Sequence, residues 1–264
     1  MILQFEKRLL TCTIPCPIEM LNIERNAFLV SGGGSTMLEM VKASMGGETP
    51  GFQPAVVIAS NPYAGAIEKA QSVGLSVEIV DPNTFRGDDG KVDQYSYYQG
   101  LRKATDKYGA TVFTQNGHLP LTPVDYILYM SRFGQGGFNQ HPGRVPDFGG
   151  KGMFGRRVHA ATLIFKRDVR SDKMMTTPIV QRVHLEFDKG AVVGFRDVLI
   201  APNDTVDELQ QRVLPVEHEI NVQLAKDIGS GRIQEYEFVS EIKPGEEINL
   251  RNAKRIARLL YPNG

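Results

Sequence analysis

The chain is poor in cysteine: Cys12 and Cys16, both in CTIPC, are the only two among its 264 residues. Their CxxxC spacing differs from the CxxC redox signature, and no Cys/His pair elsewhere completes the roughly four ligands of a zinc site. No metal is expected, and two reduced thiols in an N-terminal extension fit a reducing compartment. Neither charge is in excess, since 30 Lys and Arg balance 30 Asp and Glu. A neutral chain lacks the general attraction to nucleic acid or anionic membrane that a purely electrostatic role requires. Long apolar runs are missing as well, and nothing approaches the ~18 residues of a membrane span. The opening MILQFEKRLLTCTIPCPIEM is broken by charged side chains and does not form the apolar core of a secretory signal. Internal repeats and low-complexity segments are absent. The chain therefore reads as soluble and cytoplasmic, with small molecules rather than nucleic acid or membrane as partners. A body of this size buries roughly 70–75% of its unfolded surface and needs no disulfide or metal to hold it together.

What is present is an alternation of short apolar runs with helix-like segments. AFLV (27–30) ends in SGGGST and passes directly into MLEMVKAS, the pattern of a strand, a glycine turn and a helix. AVVIAS (55–60), VEIV (77–80) and ATVFT (110–114) read as further strands, with helices at AIEKAQSVG and 92–108. Strands alternating with helices imply an α/β fold with a mostly parallel, doubly wound sheet. From 134 to 157 the text becomes glycine-rich and shows neither period, which predicts a long functional loop. VHAATLIFKRDV returns to a helical pattern. Two β-like runs, 178–187 and 191–200, are joined by Asp188-Lys189-Gly190, a good hairpin turn. A long amphipathic helix follows, capped by Asp204 or Thr205 and stopped at glycine. The expected organisation is an N-terminal extension (1–26), one main domain (27–231) and a tail (232–264). The tail holds a strand-like RIQEYEFVS and a helix NLRNAKRIARLL. Its stripe of Ile248, Arg251/Asn252, Arg255/Ile256 and Leu259/Leu260 predicts packing or a homodimer contact.

Two segments carry the chemistry. In SGGGST (31–36), glycines let successive N–H groups aim at an anion, and the helix N-terminus adds partial positive charge. The spacing is neither GxGxxG nor GxxxxGK[ST], so a single phosphate on Gly33, Gly34, Ser35 and Thr36 fits better than a dinucleotide or ATP. In FNQHPG (138–143), Asn139 and His141 project to one side of an extended chain. Asn can donate to a developing oxyanion and His can shuttle protons near neutral pH, which is what acyl transfer asks for. Alone, such a pair is an ordinary feature of loops. His118 follows a strand end and borders a cleft at the carboxyl edge of the sheet. His184 shares a strand face with Arg182 and Glu186. His159 lies on a helix, and Glu217, in mid-helix, is by pattern a solvated residue.

Taken in order, these segments resemble the glycinamide ribonucleotide formyltransferases. The resemblance rests on SGGGST (31–36), SNPYAGAIEKA (60–70), NGHLPLTP (116–123), NQHPGRVPDFGGKGMFG (139–155), RVHLEF (182–187) and DTVDELQQRVLPVEHEI (204–220). It spans about residues 27–228 and implies a Rossmann-like formyltransferase fold. It implies transfer of a formyl group from 10-formyltetrahydrofolate to the amine of 5-phosphoribosyl-glycinamide, a step of purine biosynthesis. Asn139, His141 and His184 match the family's active-site residues. Gly33, Gly34, Ser35 and Thr36 match its phosphate turn, with Thr36 where Asn is usual. Pro142 and Glu217 match substrate contacts, and His118, Leu119 and Leu121 fall in the loop that lines the pterin pocket. The family's catalytic Asp is out of register: its position falls near Ala191 or Val192. Asp188 is the nearest carboxylate and Asp197 the next. HPG also replaces the usual HPS. The departures keep two alternatives open: a different amine or formyl donor on the same fold, or a weakened homologue that binds ligand.

Overall fold

The apolar run at 27–30 lies inside β1 (Glu24–Val30), the strand around which the fold is built. A computed structural model describes residues 23–169 and 174–264; CTIPC lies outside the described residues. From β1 the chain passes through α1 (Ser35–Met45), β2 (Phe52–Ala59), α2 (Ala66–Ser72) and β3 (Val77–Ile79). It returns through α3 (Gln94–Lys107), β4 (Val112–Gln115), α4 (Val124–Ser131), β5 (Gly136–His141) and α5 (Arg156–Val169). β6 (Met175–Thr176), β7 (Ile179–Arg182), β8 (Val192–Phe195) and β9 (Val198–Leu199) precede the last helices, α6 (Val206–Ser230) and α7 (Glu247–Leu260).

Seven strands form one sheet in the order β3-β2-β1-β4-β5-β7-β8. The first five are parallel, while β7 runs antiparallel to β5 and β8 to β7. Building outward through β2 and β3 and then returning to β4 reverses the winding between β1 and β4. Ligands bind in the crevice that such a switch point opens at the carboxyl ends of the strands. Alternation along β1 sends Phe28 and Val30 to the face covered by α1 and α6, and Ala27 and Leu29 to the face covered by α3 and α4. α6 begins with a capping box between Thr205 and Glu208 and ends on Gly231 at φ 65. Among the described residues, no helix is long and apolar enough to cross a membrane.

The structure departs from the sequence reading in four places. First, β1 starts at Glu24, inside the segment expected as an extension. Second, 136–141, expected as loop, is a strand. Its Gly137 sits where any Cβ would run into the Phe113 ring, so the glycine that reads as loop is what lets the strand pack. Third, the two long runs shrink to Ile179–Arg182 and Val192–Phe195, leaving 183–191 as a folded turn. Fourth, RIQEYEFVS makes only a bridge between Tyr236 and Val192. Of the α7 stripe expected to serve packing or a homodimer contact, Ile248, Leu259 and Leu260 are exposed in the single chain. α7 packs on α5 through Ala253 and Ala257, with Leu250 partly buried beside them, against a surface that carries the bulky Phe148 and Phe165.

Candidate active site

β5 (Gly136–His141) carries the candidate pair Asn139 and His141. Its alternation places Asn139 and His141 on one face and Gln140 on the other, with Asn139 opposite Gln115 of β4 and Gln181 of β7. His141 is buried, and its Nδ1 lies 2.9 Å from the Gly143 carbonyl oxygen. The Gly143 amide nitrogen also lies 3.3 Å from Nδ1, and of the two contacts the shorter one, to a carbonyl that only accepts, places the proton on Nδ1 and leaves Nε2 as the basic nitrogen. That Nε2 faces the Asp188 carboxylate, 3.8 Å from Oδ2. Gly143 is required here: a Cβ would come within 2.6 Å of Val158 Cγ1, which accounts for HPG where a serine would otherwise stand.

Asp188 is the one described non-glycine residue with a left-handed backbone, at φ 56. Asp tolerates that region better than most residues, and such positions persist where surrounding contacts hold them. The contacts converge on the carboxylate. Gln181 Nε2 donates to Oδ1 at 2.8 Å, Asn139 Nδ2 donates to Oδ1 at 3.4 Å, and the Gly150 amide donates to Oδ2 at 2.8 Å. Gly149 must lack a side chain, since a Cβ there would sit 2.7 Å from Asp188 Cβ. Asp197 is elsewhere, accepting from Thr177 Oγ1 at 2.6 Å. A small cleft beside the carboxylate, about 40 Å³, is lined by Gln115, Leu121, Thr122, Asn139, His184 and Phe187 among others.

His184, expected on a strand face, lies on the exposed 183–187 turn at the rim of this cleft, where its Nδ1 accepts from the Glu186 amide. Of the three residues expected to line a pterin pocket, Leu121 borders the cleft. Leu119 is exposed, and the His118 ring turns inward to Tyr97 Oη at 3.4 Å, where burial lowers its pKa to about 3. His159, read as a helix residue of structural type, is buried near His141. Burial, and secondarily the charge of His141, lowers its pKa to about 4.

On the opposite face of β5, Glu217 is buried rather than solvated. Gln140 Nε2 donates to its Oε1 at 2.8 Å, and Asn116 and Asn221 both donate to Gln140 Oε1. Burial raises the carboxyl from 4.5 to about 7 against the lowering effect of the Gln140 bond. Between those values the folded chain binds this proton and the unfolded chain does not, so this group's contribution to stability falls as pH rises through that window. Glu217→Gln is therefore expected to raise stability at about pH 8 by on the order of 1–3 kcal/mol, and with it the melting temperature, and to leave both unchanged near pH 4. Scanning calorimetry at both pH values tests this; equal melting temperatures at pH 8 would contradict a buried, reluctant carboxylate.

The glycine turn completes the crevice between β1 and β4. Gly34 adopts φ 67 as it enters α1, and a Cβ there would run into Ala66 of α2. Lys69 Nζ donates to the Gly33 carbonyl at 2.6 Å, bringing a cation to the turn. The turn is tied across the crevice by Ser31 N to Gly117 O at 3.1 Å and by Leu119 N to Ser31 Oγ at 2.9 Å. Ser35 is half-buried and Thr36 buried. Gly33 to Thr36 thus sit at the N-terminus of α1, and Pro142 directly follows His141.

Sequence reasoning missed Gln181, Gln140, Gly150 and Lys69. Lys69, Gln140 and Gly150 lie inside the segments that carry the resemblance and Gln181 just before RVHLEF, but it is the contacts made by the fold that single them out.

The fold has solved counterparts. Glycinamide ribonucleotide transformylase 1 from Symbiobacterium toebii superposes with a TM-score of 0.66 at 20% identity, over 82% of this chain and 95% of that one. In sequence, the chloroplastic phosphoribosylglycinamide formyltransferase of Arabidopsis thaliana is 31% identical over 208 residues, 79% of this chain and 66% of that protein. The chloroplastic phosphoribosylglycinamide formyltransferase of Vigna unguiculata is 30% identical over 207 residues, 78% of this chain and 61% of that protein. The chain thus spans under two thirds of the length of either plant relative. The model of the family described as "Formyl transferase" matches residues 24–224, which covers the glycine turn, β5, the Asp188 turn and Glu217 together. On that match, the chain belongs to the formyl transferase family.

Proposed function

We propose that this protein transfers a formyl group from 10-formyltetrahydrofolate to the amine of 5-phosphoribosyl-glycinamide, a step of purine biosynthesis. The observation that carries the reading is the convergence of Asn139, His141 and Asp188 at one point of a formyl transferase fold. The ribotide's phosphate takes the turn Gly33–Thr36, with Lys69 beside it, and its aminoacyl end runs past Pro142 toward Asn139 and His141 at the end of β5. A phosphate suits a helix N-terminus because the unpaired N–H groups and the helix dipole both favour negative charge.

The formyl donor supplies an acyl carbon on a nitrogen that can leave. Attack by the neutral amine forms the new C–N bond and moves the carbonyl π pair onto oxygen, and Asn139 Nδ2–H donates to that oxygen. His141 Nε2 takes the proton from the attacking nitrogen and returns one to the leaving nitrogen. Asp188 balances the imidazolium formed in between. Gln115, Thr122 and Asn139 offer hydrogen-bonding edges to a flat heterocycle, and Leu121 and Phe187 offer apolar faces. A pterin enters this open cleft past the exposed His184–Phe187 turn at its rim.

Isothermal titration with the ribotide and with the folate, separately, tests the assignment. Binding of both is the expected result. Ribotide binding alone would mean a different formyl donor on the same site, and binding of neither would remove the assignment.

A further inference from the structure

The family match ends at residue 224, yet the chain beyond it reaches back to the loop that holds the site together. That loop, 143–155, runs from the reacting histidine to α5 without a strand or helix of its own. Its Gly150 amide donates to Asp188 Oδ2 at 2.8 Å, so its position sets where the carboxylate stands. The tail fixes the loop at several points. Asp147, which is buried, accepts from Ser240 Oγ at 2.6 Å and from the Glu241 amide at 2.9 Å. Arg144 donates to the Val239 carbonyl at 2.9 Å and lies over the Phe238 ring at 4.5 Å. Lys254 Nζ, on α7, donates to the Gly149 carbonyl at 2.9 Å, one residue before the amide that bonds Asp188. Arg258 Nη2 donates to the Lys151 carbonyl at 3.0 Å, one residue after it. From the other side, the Tyr236 amide donates to the Val192 carbonyl at 2.7 Å, closing the turn that carries Asp188.

We propose that the tail 232–264 is a positioning element for the Asp188 carboxylate, with Lys254 as the positioning residue that acts through Gly149 and Gly150. This rests on the assignment of Asp188 to formyl transfer made above. Packing does not need the Lys254 bond, because Ala253 and Ala257 already seat α7 on α5. A lysine ammonium on a backbone carbonyl is a charge-assisted bond, about twice as strong as a neutral one, and it grips the carbonyl of the same peptide unit whose N–H meets Asp188.

The test uses the full chain with Lys254→Met, which keeps the aliphatic stem, and Lys254→Arg, which keeps a cationic donor. In Lys254→Met the Gly150 amide is expected to exchange with solvent about tenfold faster, while core amides such as that of Phe113 keep their wild-type rates. In the same variant kcat is expected to fall about tenfold with both KM values within twofold, and Lys254→Arg is expected to restore most of the loss. Unchanged exchange at Gly150 would overturn the proposal. So would faster exchange with an unchanged kcat, since the tail would then hold the loop without positioning the carboxylate. If the wild-type chain transfers no formyl group, the functional assignment fails, and the exchange measurement still decides whether the tail holds Gly150 against Asp188.

Discussion

Asp188→Asn is expected to lower kcat by two to four orders of magnitude, with both KM values changed only a few-fold. The side chain keeps its size, so the loss comes from charge and hydrogen-bond polarity. The carboxylate accepts from Gln181 Nε2, Asn139 Nδ2 and the Gly150 amide, and it faces His141 Nε2. An amide in its place turns one N–H toward donors that need an acceptor, and it no longer balances the imidazolium. An unpaired buried donor costs about 1–3 kcal/mol, so a drop of a few degrees in melting temperature accompanies the rate loss. Steady-state kinetics on the refolded variant checks this. Turnover like that of the wild type would mean that Asp188 is a turn residue only and that no carboxylate serves His141.

Asn139→Ala is expected to lose on the order of 10²–10³ in kcat, the usual effect of removing one oxyanion donor. Its amide rests on Asp188 at 3.4 Å, a long bond that leaves the N–H available to a developing oxyanion. Stability should move little, because Gln181 and Gly150 still hold the carboxylate. The two substitutions touch one cluster, so the double variant should lose less than the product of the single losses. Wild-type turnover in Asn139→Ala would sink the oxyanion assignment.

The βα alternation, the glycine turn and the Asn139/His141 pair were legible because they are local: a buried run, a turn and a period of two each occupy a few consecutive residues. Asp188 was legible only as a turn former. What makes it part of the site is a left-handed backbone angle held by Gly149 and Gly150, nearly forty positions away, and no spacing reveals that. Glu217 looked solvated for the same reason. Its helix face is ordinary until β5 lays Gln140 against it, a contact spanning 77 positions. In the tail the large apolar residues of α7 carry the stronger pattern, yet Ile248 and Leu259 are exposed in the single chain. The buried face is built from Ala253 and Ala257, since the partner surface already carries the bulk. The segment of β5 reads as loop because glycine and amide side chains carry little strand signal, and only the neighbouring Phe113 ring explains why glycine is there.

The most direct measurement is turnover by the purified wild-type chain with 10-formyltetrahydrofolate and 5-phosphoribosyl-glycinamide, following folate by absorbance and the ribotide by mass spectrometry. One formylated ribotide for each tetrahydrofolate released, with no donor consumed when the ribotide is left out, is the expected result. Donor consumed without a formyl group gained by the ribotide, or no donor consumed at all, would contradict it.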